Sequence, residues 1–170
     1  LAAAFERTAM LQRLVAAHTT VPMPEVLAVD TSCRDWPWRY LVMVHVPGQE
    51  WAAARGQMTS EELSDAHRQI GDAVAQLHAI HFPAFGELAP DGRVQGDEPY
   101  LAVLRDHARS IIRSAHLREL FFLALERRGS LFLDVRGASL CHEDLHMHNI
   151  IFRRDRSRWR NATERHTGGL

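Results

Sequence analysis

Cys141-His142-Glu143-Asp144-Leu145-His146-Met147-His148-Asn149-Ile150-Ile151-Phe152 sets a carboxylate, Asp144, shortly before a carboxamide, Asn149, and ends on an apolar run of β type. That Asp-to-Asn spacing suits phosphoryl transfer, in which the acid orients an attacking hydroxyl and the amide oxygen holds magnesium. The same letters also spell His-Glu-x-x-His over 142–146, a zinc-hydrolase signature in which two imidazoles on one helix face bind the metal and Glu143 is the base. The first reading needs a bend between short strands, the second a continuous helix. Gly137 upstream and Ile150-Ile151-Phe152 downstream favour the bend. The extended zinc motif needs a glycine at the Asn149 position and a histidine at the Phe152 position, and Glu164 is the remaining candidate for a third zinc ligand.

Outward from that stretch, Ala138–Cys141 and Ile150–Phe152 read as strands flanking the loop, and Tyr100–Leu125 as one long helix or two, opened near Pro99 and ended by Gly129. Residues 82–98 are rich in glycine and proline and read as a long irregular loop. Thr59 and Glu62 form a capping box ahead of a helix whose buried face carries Leu63, Ala66, Ile70, Val74, Leu77 and Ile80. Pro47-Gly48 ends a strand over Trp38–Val46, and Val26–Val29 reads as a shorter one. Residues 2–17, with Phe5, Met10, Leu11, Leu14 and Val15, suit an amphipathic helix that Pro22 and Pro24 stop.

The bulk properties exclude several classes. At 170 residues, 46% hydrophobic and 24% charged, the chain has the make-up of a globular protein with one core or two small lobes. A net charge of −1 argues against a nucleic-acid or membrane-surface partner. No apolar run approaches the roughly 20 residues of a membrane span, and no signal-peptide pattern opens the chain. Cys33 and Cys141 give neither a disulfide framework nor zinc-knuckle spacing, so a reducing, cytoplasmic setting is expected. Every basic residue is arginine, so no ammonium group exists for any task that needs one. Leu1 opens the chain inside a helical pattern, which reads as a fragment.

Taken in order, these segments resemble the aminoglycoside phosphotransferase family. Val21-Pro22-Met23-Pro24-Glu25-Val26-Leu27 is similar to the family's Val-Pro-x-Pro-x-Val-Leu entry strand, and Tyr40–Gly48 to its hinge, Leu-Met-Glu-x-x-Pro-Gly. Gln76–Ile80 with Phe85-Gly86 resembles the end of its first C-lobe helix, and Leu140–Phe152 its His-Gly-Asp-x-His-x-x-Asn-x-x-Phe loop. The likeness runs over roughly 5–152 and rests on the order of four motifs rather than on any one. It implies an α/β (α+β) protein-kinase-like fold, with a partial N-lobe over 1–46, a mainly helical C-lobe over 47–152, and a polar tail without assigned structure over 153–170.

The resemblance further implies an ATP- or GTP-dependent transfer, with Mg2+, to a hydroxyl of a small molecule, possibilities including an aminoglycoside-like or amine substrate. Asp144 would be the catalytic base and His142 a prop of the loop. Asn149 would hold metal, and Val44 and Val46 would meet the base through their backbones. Glu143 replaces the usual glycine, and Val44 the usual hinge glutamate. The Gly-rich phosphate loop and the strand lysine are missing, and so is the second metal-binding Asp, expected within Asn161–His166. Such losses imply weak or no activity in this chain, and the tail reads as a shifted frame or a truncation. Besides the zinc hydrolase, a non-catalytic remnant remains open.

Other candidates have ordinary explanations. Glu6, the only acid of the first helix, is the candidate for the helix glutamate that pairs the lysine, and without a lysine it reads as a solvated charge. Glu87, Asp91, Asp97 and Glu98 suit a cleft for a cationic sugar, or solvated loop positions. Trp36, Trp38 and Trp51 read as packing residues, His146 as solvated or as a support of the loop, and His148 has no assigned role.

Overall fold

A computed structural model describes residues 2–96, 98–132, 135, 137–155 and 158–161. Helix α1 (Ala2–His18) leads to β1 (Val26–Asp30), β2 (Tyr40–Met43), β3 (Gln49–Glu50), the single turn α2 (Trp51–Ala54) and the long helix α3 (Ser60–His78). There follow β4 (His81–Phe82), β5 (Glu87–Leu88), β6 (Val94–Gln95), α4 (Tyr100–Ile111) and α5 (Ala115–Arg128). The strands β7 (Ala138–Ser139), β8 (Ile151–Asp155) and β9 (Arg158–Asn161) close the described chain. Helices beside small antiparallel sheets make the α+β architecture of a partial kinase-like fold.

Packing groups the chain into two compact units, one of 1–80, 90–92 and 139–170, the other of 81–89 and 93–138.

In the first unit α3 begins as its capping box dictates: Thr59 Oγ1 accepts from Glu62 N–H at 3.2 Å and Glu62 Oε2 from Thr59 N–H at 2.8 Å. β1 and β2 pair through Ala28↔Val42 and Asp30↔Tyr40, with an irregularity between Val26 and Ala28. Ser32, just beyond β1, donates to Asp30 and holds its carboxyl below the ordinary carboxylate range. The order β3-β8-β9 forms the second sheet. Its inner face, with α2 and α3, is the core: Trp51, Ala54, Ala66, Phe152 and Trp159, with Leu63, Ile70 and Ile150 packed against it. The Trp51 and Phe152 ring centroids lie 4.9 Å apart.

Here the structure departs from the expected polar tail. Residues 153–155 and 158–161 are strands, because Phe152 and Trp159 turn inward from a run of arginines. The strand expected over Trp38–Val46 shortens to Tyr40–Met43, and the loop over 82–98 contains the hairpin β5–β6.

In the second unit the expected helix divides in two. Ile112 is extended, and Ser114 Oγ then caps α5 by accepting from Leu117 N–H at 3.3 Å. Ala108 and Leu125 are buried, and the Tyr100 ring meets Phe85 edge to face at 4.9 Å and Phe132 at a tilt at 5.7 Å.

Candidate active site

The segment between β7 and β8 bends because backbone bonds close it on itself. Asp144 N–H donates to His142 O at 2.7 Å, His146 N–H to Asp144 O at 3.0 Å, and Asn149 N–H to His146 O at 2.9 Å. Glu143 sits at the bend with φ 58°, a left-handed conformation that costs a residue bearing a Cβ roughly 1–2 kcal/mol. A glycine, which the resemblance puts there, takes that φ freely.

This bend sets Asn149 against Asp144: its Nδ2 donates to the Asp144 carbonyl at 2.9 Å and to Asp144 Oδ2 at 3.0 Å. The carboxamide orientation is thereby fixed. Its oxygen accepts no hydrogen bond among the described residues, and it is the hard donor that magnesium takes. Asp144 is exposed. The His142 ring is also exposed, so it is the residue's carbonyl that supports the bend.

A cavity of about 440 Å³ borders the loop, within the size range of small-molecule sites. α1 lines it with Thr8, Leu11, Gln12 and Val15, and α3 with Ile70, Ala73, Val74 and Leu77. Each set repeats at i, i+3, i+4, i+7, one face of a helix. Val46 lies on the wall, with His142 and Asn149 among its polar groups. Val44 does not line it. Its N–H donates to Glu25 O at 2.8 Å, so its carbonyl is the group left for a base. The apolar lining fits a base, and Asn149 fits a metal. The phosphates have no such partner, for the chain holds no lysine and no arginine lines the cavity among the described residues.

The zinc arrangement fails on geometry. Residues 140–150 contain no helix, so His142 and His146 share no helix face, and among the described residues no group of three or more His, Cys, Asp and Glu is placed to hold a metal.

The other candidates fall out separately. Glu6 is not a bare solvated charge, since the Thr31 hydroxyl donates to its Oε1. Trp51 is buried as expected, but Trp36 and Trp38 are 54% and 64% exposed and meet each other edge to face. Asp97 and residues 162–166 lie outside the described residues. Thr8 and Gln12 went unread because they are the polar members of the cavity face of α1; its helical period is the signal that finds them. Glu50 was also missed. Its Oε2 lies 2.7 Å from His148 Nδ1 across 98 residues, a contact no local pattern announces.

Compared with known proteins, the chain matches the profile of the phosphotransferase enzyme family over residues 1–160. No solved structure matches it.

Proposed function

The chain belongs to the phosphotransferase enzyme family, and from that premise we propose that its Asp144 loop serves transfer of a γ-phosphoryl group from ATP (or GTP) to a hydroxyl of a small molecule. The observation that carries this reading is the Asn149–Asp144 pair at 2.9 and 3.0 Å beside the cavity. Asp144 orients the hydroxyl and takes its proton as the oxygen bonds to phosphorus and the bond to the leaving diphosphate breaks. The Asn149 carboxamide oxygen would hold the metal. The Val46 backbone on the cavity wall would meet the base, and the apolar walls would exclude water from it. Bound magnesium nucleotide supplies the phosphoryl group and part of its charge neutralisation.

Among the described residues no helix is long and apolar enough to cross a membrane. The partner we propose is a small hydroxylated molecule met in the cytoplasm, such as an aminoglycoside-like or amine compound, and neither nucleic acid nor membrane. Such catalysis is positioning and electrostatics. With no cation lining the cavity among the described residues, the site is expected to bind nucleotide better than it turns it over, so that transfer is little or none.

Titration of the purified chain with magnesium ATP, followed by tryptophan fluorescence, tests the site. Asn149→Ala is expected to weaken binding about tenfold, roughly 1.4 kcal/mol for one polar contact. A parallel assay of phosphate transfer to aminoglycosides, amines and sugars is expected to stay near background. Absence of nucleotide binding sinks the reading, and rapid transfer sinks the inactivity.

A further inference from the structure

The polar contacts of the loop extend beyond the Asp144–Asn149 pair. Glu50 and His148 meet through segments already fixed to each other. β3 pairs with β8 through Glu50↔Ile151, Trp51 N–H donates to Ile150 O at 2.8 Å, and Ala52 N–H donates to Met147 O at 3.0 Å. From His148 the contacts continue inward. Its backbone N–H donates to His146 Nδ1 at 3.1 Å, and the two rings lie 5.7 Å apart. His146 Nε2 lies 3.6 Å from Asp144 Oδ1, while Asp144 Oδ2 accepts from Asn149.

Each contact dictates where a proton sits. A neutral imidazole carries one N–H, and the partner of one nitrogen decides which. His146 accepts at Nδ1, so its proton is on Nε2, the atom that faces Asp144. His148 presents Nδ1 to a carboxylate, which only accepts, so its proton is on Nδ1. When both rings are neutral, these contacts call for opposite tautomers in two histidines two residues apart.

We propose that Glu50 is a positioning residue of the catalytic loop: by holding the His148 ring it sets the His148 backbone N–H on His146 Nδ1, and so turns the His146 Nε2–H toward the outer oxygen of Asp144. Asp144 Oδ2 then accepts from Asn149 at 3.0 Å, while Oδ1 has His146 Nε2 3.6 Å away. The consequence for catalysis rests on Asp144 being the base, as proposed above, but the arrangement itself does not. Glu50 and His148 are 53% and 59% exposed, so their contact tunes the loop rather than builds it, and the backbone bonds to Trp51 and Ala52 survive its loss.

The test is two-bond 1H–15N correlation of the histidine rings in the full chain, at a pH well above the ordinary imidazole value of about 6.5. The wild-type chain is expected to show His148 protonated at Nδ1 and His146 at Nε2. Glu50→Ala should shift both tautomer populations, the change at His146 being one that a purely local role does not produce. Glu50→Gln, whose carboxamide oxygen accepts the same bond, should restore both. A wild-type His148 protonated at Nε2, or a His146 signal that ignores Glu50→Ala, overturns the proposal. The first of these needs no variant to fold. No nucleotide or transfer enters the measurement, so its failure is distinct from failure of the phosphotransferase reading.

Discussion

Two antiparallel hairpins of the same compact unit reverse what their compositions lead one to expect. β1–β2, Val-Leu-Ala-Val-Asp against Tyr-Leu-Val-Met, is almost wholly apolar, yet neither strand has a buried residue, and Leu27 is 59% and Val42 43% exposed. β8–β9, dominated by arginine, contains Phe152 at 0% and Trp159 at 4%. What separates them is how completely a facing surface covers them, for β1 and β2 meet α1 yet keep every residue at least partly exposed. β8 and β9 lie against α2 and α3, where Gln69 Nε2 donates to Trp159 O at 3.1 Å. Apolar composition measures the capacity to be buried; an opposing surface realises it.

The sharpest way to break this comparison is Phe152→Ala. The side chain is fully enclosed by Trp51, Ala54, Ala66 and Trp159, so truncation leaves a cavity as well as lost transfer free energy. The expected cost is about 3–5 kcal/mol, a large share of the roughly 5–15 kcal/mol of a typical domain. It is read as a fall in the denaturant midpoint at unchanged slope. A loss below about 1 kcal/mol would mean that the arginine-rich hairpin does not hold the core.

Gly48→Ala probes the same sheet from outside. A Cβ there would lie 2.6 Å from Ile151 Cγ2 and 2.7 Å from the Phe152 carbonyl oxygen. The methyl of Ile151 can rotate aside, but a paired strand's carbonyl cannot. Overpacking of this kind costs about 1–3 kcal/mol, measured in the same denaturation series. If Gly48→Ala is neutral, β8 is not held close to the Pro47-Gly48 turn.

What was legible in the sequence follows the range of the interaction. The Thr59–Glu62 box and the Asp144–Asn149 bend are local patterns and formed as read, as did most of the α3 face, though Ile80 lies beyond the helix and the cavity face of α1 includes Thr8 and Gln12. The β8–β9 hairpin was hidden because two aromatics at inward positions are outnumbered by arginines, one of which, Arg154, covers the Trp159 ring from 5.9 Å. Trp36 and Trp38 misled in the opposite sense: large rings predict burial only on average, and in the turn between β1 and β2 they find each other rather than a core. The break between α4 and α5 carried a readable signal in Ser114, a cap residue just after Ile111-Ile112-Arg113. Glu50 and His148 carried none, because their meeting depends on the register of β3 against β8.

The smallest expected effect tests the exposed hairpin. Val42→Thr keeps the β-branched shape and the pairing with Ala28, and replaces one methyl by a hydroxyl. In a core this exchange is costly, because the hydroxyl loses water and finds no partner. At 43% exposure the hydroxyl keeps its water, so the stability of the chain should change by no more than about 0.5 kcal/mol in either direction. A cost several times larger would mean that the face of β1–β2 is covered in solution, and that the two hairpins are alike after all.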